Sequence, residues 1–184
     1  MVTKQEAPGG LELVRAFVNT LDVEGGEDEL ASPATLCEWL AGRSLLDGTE
    51  KASGADVESA VTVREALRAL LLANNGADPD PRAAATLETA AARARLSLRF
   101  LPDGRARQEP GAAGVDGAIG RLLAIVAASM AEGTWLRLKA CRSETCRWAF
   151  YDHARNRSRT WCDMAVCGNR VKARTYRRRR GAGS

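Results

Sequence analysis

The sequence has little of the side-chain chemistry that enzymes commonly use. Its 184 residues include one histidine, His153, and no Ser/His/Asp set that would pair a nucleophile with a general base. Acidic residues near the N-terminus are typical of a solvated face or loop; they are Glu12, Asp22, Glu24, Glu27, Asp28 and Glu29. We therefore predict that the chain is not an enzyme and that it has no catalytic residue.

Long hydrophobic runs are missing as well. No stretch approaches the roughly 20 consecutive apolar residues that a membrane-spanning helix needs. The segment Met1 to Gly10 is polar and lacks the apolar core of a secretion signal. We therefore expect a cytoplasmic protein with no membrane partner, in a compartment where thiols stay reduced.

Cysteines are few but ordered. Four of the five form two C-x4-C pairs separated by fifteen residues: Cys141, Cys146, Cys162 and Cys167. Two short thiol pairs can give one Zn²⁺ four sulfur ligands at about 2.3 Å, which leaves no open position for catalysis. The spacing predicts a structural zinc site, with unrelated free thiols or two disulfides as the alternatives. His153 lies between the pairs, and we expect it to face solvent or phosphate.

Charge is distributed very unevenly along the chain. Residues 139–184 contain thirteen Lys or Arg and three acids, a net charge of +10, whereas residues 1–138 contain fourteen bases and twenty acids, a net of −6. A compact basic segment around a metal site is typical of nucleic-acid binding, since each neutralised phosphate releases counterions. The modest overall charge of +4 conceals this separation.

Apolar periodicity predicts an α+β protein. Helical spacing occurs over residues 10–21, from Pro33 to Leu40, and over residues 55–74, 81–94 and 117–130, whereas residues 96–100, 105–109 and 135–139 suggest strands. We predict a mostly helical N-terminal domain over residues 1–138, with a small antiparallel sheet that includes all three strands. A small four-cysteine zinc module follows over residues 139–184, attached by the strand at 135–139 and ending in a basic helix over residues 168–180.

The cysteine segment resembles a known bacterial module. Cys141-Arg-Ser-Glu-Thr-Cys146, Trp161-Cys162 and the run Cys167-Gly168-Asn169-Arg170 look like the CGNR zinc finger, over about forty residues with both cysteine spacings. In that family the finger usually follows an ABATE domain, which is associated with stress-linked transcription regulation. Phe17-Val-Asn-Thr-Leu-Asp22, followed by Leu36-Cys-Glu-Trp-Leu40, resembles the start of ABATE. The resemblance implies a zinc-dependent bacterial regulator.

Candidate binding residues follow from position and charge. Arg155, Arg157 and Arg159 alternate along a polar loop, which favours phosphate contacts over base reading. If the terminal helix forms, one face presents Arg170, Arg174 and Arg177 or Arg178, with Lys172 nearby. Asn169, next to the fourth thiol, is predicted to cap the helix and hydrogen-bond a cysteine sulfur, with contact to a base as the alternative. Asn19 and Thr20, polar within an apolar helix end, are candidates for a ligand pocket, although a helix cap explains them as well.

The predicted partner is duplex DNA, read by the finger, with the N-terminal domain sensing a small-molecule effector or binding a partner protein. RNA is the first alternative, because the same basic surface would serve it. A zinc-stabilised surface that docks an acidic protein is the second. The pattern leaves open the recognised DNA sequence, the effector and the oligomeric state.

Overall fold

Three of the five described α-helices start at side-chain caps. The computed structural model describes residues 6–170 and residue 173. Ser32 accepts a hydrogen bond from the Thr35 amide at 3.2 Å, Ser53 caps its helix in the same way, and Asp80 caps the helix that starts at Pro81. The helices are α1 (Leu11–Val18), α2 (Pro33–Ala41), α3 (Gly54–Ala73), α4 (Pro81–Arg93) and α5 (Gly114–Ala131).

The apolar faces of these helices meet in one core. Phe17 of α1, Leu67 of α3 and Leu122 of α5 are fully shielded from solvent there. By length and composition α5 could cross a membrane, but half of that stretch is buried inside the protein. A helix that is apolar on most of its faces is also typical of the centre of a protein core. We therefore regard α5 as the central helix of this domain.

The predicted hairpin forms after α4. Strand β1 (Leu96–Phe100) pairs antiparallel with β2 (Ala106–Pro110). Gly104 in the turn has a φ of +81°, a left-handed conformation that favours glycine. The hairpin approaches α5 closely at Gly120, where an added Cβ would lie 2.7 Å from the Pro110 side chain. Together the helices and strands confirm the predicted α+β class.

The third predicted strand does not join this hairpin, so the expected three-stranded sheet is wrong. Trp135–Arg137 forms a 3-10 turn, and β3 (Leu138–Ala140) pairs antiparallel with β4 (Ala149–Tyr151) in a separate sheet. The alternating pattern over residues 135–139 predicted one strand, but its first three residues form the 3-10 turn. This turn buries Trp135 in the core, where it is 5% exposed. The partner of β3 lies just beyond the first cysteine pair, so this hairpin closes the loop that carries that pair.

The C-terminal module is packed against the N-terminal domain along both strands of its hairpin. Leu138, Ala140, Ala149 and Tyr151 are buried in the same apolar cluster as the helices. Strand β3 packs on α3, and β4 packs on α1. The attachment is thus made by two strands on two helices instead of a strand shared with β1 and β2. The predicted boundary between residues 138 and 139 falls inside β3.

Candidate metal centre and nucleic-acid interface

Four thiols from two turns converge beside the β3–β4 hairpin. Their sulfur atoms all lie within 4.8 Å of one another, with 3.5 Å between Cys146 and Cys162 and 3.7 Å between Cys162 and Cys167. A tetrahedral Zn²⁺ with Zn–S bonds of about 2.3 Å separates its sulfurs by about 3.8 Å. A disulfide needs about 2.05 Å between sulfurs, and these cysteines are unpaired. The geometry therefore fits one four-sulfur zinc site and not two disulfides.

Each cysteine pair is presented by a hydrogen-bonded turn. In the first pair, the backbone amides of Cys146 and Arg147 both donate to the Ser143 carbonyl at 3.0 Å. In the second pair, Asp163 caps a π-helical turn over Met164–Gly168, and its carbonyl accepts from the Cys167 amide at 2.9 Å. Both turns therefore direct their thiols through local backbone geometry, as the short C-x4-C spacing predicts.

The thiols also have the electrostatics of a cation site. Hydrogen bonds with Cys146 and Cys162 lower the pKa of Cys141 to about 2. Hydrogen bonds with Cys141 and Cys146, followed by burial, raise the pKa of Cys162. Burial and then the charge on Cys141 raise the pKa of Cys167 to about 12. One thiolate thus opposes ionisation of its neighbours, whereas a divalent cation allows all four to ionise. The four cysteines would hold a structural Zn²⁺ that links the two turns.

A buried ion pair holds the loop between the cysteine pairs. Lys139 on β3 donates to Asp152 Oδ2 at 2.8 Å and to the carbonyls of Arg157 and Arg159 at 2.5 and 3.2 Å. Asp152 is fully buried and also accepts from the amides of Ala154 and Arg159 at 3.0 and 2.9 Å. Burial would raise the pKa of Asp152, but the hydrogen bonds from Lys139 and the two amides lower it below the usual value. These charge-assisted bonds keep the loop in one shape.

The three arginines of this loop have different surroundings. Arg155 and Arg157 are exposed, and Arg157 has a φ of +53° in a tight turn. Arg159 is half-buried, and its guanidinium donates to the Trp161 carbonyl at 3.1 Å and to the Cys162 carbonyl. Arg155 and Arg157 therefore remain available to a phosphate. Arg159 instead bonds carbonyls beside the second cysteine pair, and its contact with phosphate stays a prediction.

The helical segment predicted to follow the fourth cysteine starts earlier, at Met164, with the π-helical turn that includes Cys167. An added Cβ on Gly168 would lie 2.5 Å from the Met164 sulfur, so glycine permits this close approach. The Asn169 amide donates to the Ala165 carbonyl at 3.0 Å, and not to a cysteine sulfur as predicted. The remaining predicted residues of the basic helix lie outside the described residues: Lys172, Arg174, Arg177 and Arg178.

Comparison with known families follows the same division of the chain. Residues 11–133 match the family model ABATE, described as "Putative stress-induced transcription regulator", and this match covers more than half of the 184 residues. The chain belongs to the ABATE family. Residues 137–180 match the CGNR zinc finger, so the resemblance seen in the sequence is confirmed and the four thiols lie in that finger. A search of curated proteins finds no match.

The ABATE residues expected to line a ligand pocket instead make protein contacts. Asn19 donates to the Ala149 carbonyl at 3.0 Å and accepts from the Ala149 amide at 2.7 Å, joining α1 to β4 of the CGNR finger. Thr20 donates to the Phe17 carbonyl at 2.8 Å and bonds Arg64 at 3.2 Å. Both side chains are buried. Because these polar groups already have protein partners, the structure does not support a ligand site at Asn19 and Thr20.

Sequence reasoning missed the ABATE side chains that hold the finger from α3. Arg68 is 4% exposed and donates to the Arg147 carbonyl, beside the first cysteine pair, at 2.9 Å. Asn75 donates to two further carbonyls of the finger segment. One signal was present, because Arg64 and Arg68 occupy apolar positions of α3, where an unpaired charge is costly. Their partners are distant in sequence and could not be named from it.

The acidic segment of the ABATE domain, residues 22–29, is partly engaged in ion pairs. Buried Arg64 donates to both carboxylate oxygens of Asp28, at 2.6 and 2.9 Å. Arg170 of the CGNR finger is exposed and pairs with Glu24 at 2.5 Å. The segment was predicted to be a solvated face, yet it contacts both the core of its own domain and the finger.

Proposed function

We propose that this ABATE protein is a cytoplasmic transcription regulator that binds duplex DNA through its zinc-loaded CGNR finger. The observation that carries the proposal is the loop between the cysteine pairs. Arg155 and Arg157 are exposed on this loop, while the buried ion pair of Lys139 and Asp152 hydrogen-bonds its backbone. A loop whose backbone is already held loses little backbone freedom on binding, which suits its arginines to phosphate contacts.

Charge separation favours this face for binding. Residues 139–184 carry a net charge of +10 and residues 1–138 a net of −6. A polyanion is therefore attracted to the finger and repelled by most of the ABATE domain, which orients the encounter. We assign no catalytic residue, and the matched families are described as a regulator and a zinc finger. In this proposal the ABATE domain positions the finger, and no effector is placed at Asn19 and Thr20.

Variants of the two exposed arginines test the proposal. We expect Arg155→Ala with Arg157→Ala to weaken binding of zinc-loaded protein to all duplexes about equally. The dependence of log K on log salt should flatten by about two units, since each phosphate contact contributes about −0.9 to the slope. Arg82→Ala, an exposed arginine of the ABATE helix α4, is the matched control and should leave binding unchanged. Equal effects of the control and the double variant would refute the assigned surface.

Competition separates the alternatives. A labelled duplex is displaced from the full-length protein with unlabelled duplex DNA, structured RNA or a plain polyanion. Preferential displacement by duplex supports DNA as the partner, and preferential displacement by RNA would replace it with the RNA alternative. Equal displacement by all three, with no preferred sequence, would favour docking of an acidic protein partner.

A further inference from the structure

Two adjacent asparagines directly follow the last residue of α3, and they bond different segments of the chain. Asn74 donates to the carbonyls of Trp135 and Leu138 at 3.1 and 2.9 Å, both on the chain entering the finger. Asn75 is 8% exposed and donates to the carbonyls of Ala140 and Thr160, both at 2.8 Å. The two side chains thus make the same number of bonds to different segments.

The partners of Asn75 lie just before each of the two cysteine pairs. Ala140 immediately precedes Cys141, and Thr160 lies two residues before Cys162. One carboxamide, fixed at the end of a twenty-residue helix of the ABATE domain, therefore bridges the backbone of both cysteine pairs. A direct backbone bond between the same regions, from the Arg142 amide to the Thr160 carbonyl, is long at 3.4 Å.

Metal affinity depends on how well the ligands are held before the metal binds. Groups that orient metal ligands without touching the metal are typically worth 10–100-fold in affinity. The two turns are each shaped locally, but fifteen residues lie between the pairs, so the separation of the turns depends on bonds across this loop, those of Lys139 and Asp152 among them. A side chain that bonds the backbone in front of both cysteine pairs also acts on that separation.

We propose that Asn75 is a positioning residue for the zinc site, which holds the two cysteine turns at the separation that one metal ion requires. The ABATE domain then sets the metal affinity of the CGNR finger through α3. This inference does not depend on the nature of the nucleic acid or of any other partner.

The test compares Asn75→Ala with Asn74→Ala in the full-length protein, by titration of zinc against a chromogenic chelator. We expect Asn75→Ala to weaken zinc binding by about 10–100-fold and Asn74→Ala to change it by much less. Asn75→Ser keeps one donor on a shorter side chain, so it can retain at most one weakened bond, and its zinc affinity should lie between wild type and Asn75→Ala or equal that of Asn75→Ala. Cobalt substituted for zinc gives a second measurement, because its thiolate charge-transfer absorption reports directly on the four-sulfur geometry.

Asn74→Ala is the control for a general loss of stability, because Asn74 makes as many hydrogen bonds as Asn75. If Asn74→Ala and Asn75→Ala weaken zinc binding equally, the effect is loosening of the finger as a whole and the proposal is wrong. Wild-type zinc affinity and cobalt absorption in Asn75→Ala would also overturn it. Should Asn75→Ala not fold, Asn75→Ser decides: wild-type zinc affinity contradicts the proposal, and a selective loss relative to Asn74→Ala supports it.

Discussion

Removal of zinc is expected to destabilise the ABATE helices as well as the finger. The turn that carries the first cysteine pair lies directly between β3 and β4, whose apolar side chains are part of the helical core. Without the metal this turn loses its link to the second cysteine turn, and the hairpin is free to leave α1 and α3. A finger on a separate stalk would behave differently, because its unfolding would leave the helices unchanged.

The size of the effect follows from the contacts across the boundary. Detaching the hairpin exposes Leu138, which is fully buried, and breaks the four hydrogen bonds that Asn19 and Asn75 make to the finger segment. A buried leucine contributes about 1.5–3 kcal/mol and each hydrogen bond about 0.5–1.5, roughly 4–9 kcal/mol together. Domain stabilities are about 5–15 kcal/mol in total. Zinc loss should therefore remove a large part of the stability of the helices.

Thermal melting of Cys167→Ser, followed by far-UV circular dichroism, measures this effect. One kcal/mol shifts the melting temperature of a chain of this size by about 2–4 °C, so we expect a fall of at least about 8 °C. Cys37→Ser is the matched control, because Cys37 is half-buried in the ABATE domain and lies outside the four-thiol site. An unchanged helix melting temperature in Cys167→Ser, together with complete loss of zinc, would refute the shared core.

Two further substitutions test ion pairs of the acidic segment. Asp28→Asn removes the bidentate partner of the buried Arg64, which keeps its ion pair with Glu65, and should cost about 1.5–3 kcal/mol in urea unfolding at neutral pH. Although burial opposes it, the hydrogen bond from Arg64 lowers the pKa of Asp28, so this stabilisation is complete above the ordinary aspartate pKa and is lost as pH falls through the lowered value. The difference between wild type and variant should therefore shrink in acid, and a constant difference would contradict the ion pair as its source. Glu24→Gln releases Arg170 and should raise DNA affinity a few-fold at low salt, with Glu27→Gln as control; equal gains from both would show only a change in overall charge.

The features that the sequence predicted well are local ones. The starts of α2 and α4 follow from Ser32 and Asp80 with the prolines that come next, and the hairpin turn follows from the residues around Gly104. The four-thiol site follows from two short spacings, because each turn is shaped by backbone bonds within a few residues. In each case the deciding interactions lie within one turn of chain.

The features that the sequence did not predict depend on distant partners. Asn19 and Ala149 are 130 residues apart, and Arg68 and Arg147 are 79 apart. From the sequence alone, polar side chains such as these suggest a cap or a ligand site, because no local pattern indicates which distant backbone group they bond. The surroundings of Arg159 were missed for a related reason: its spacing matches that of Arg157, but its guanidinium turns inward to finger carbonyls.

The most direct test of the proposed function is the salt dependence of duplex binding by zinc-loaded and zinc-free protein. For the zinc-loaded protein, log K should fall against log salt with about −0.9 of slope per phosphate contact, so that Arg155 and Arg157 alone give about −2 and contacts from the predicted basic helix make the slope steeper. The zinc-free protein should bind more weakly and with a shallower slope, because the loop that presents Arg155 and Arg157 is no longer held between two cysteine turns. If zinc-loaded protein shows no salt-sensitive binding to duplex DNA even at about 50 mM salt, where electrostatic affinity is strong, the CGNR finger of this protein is not a DNA-binding module.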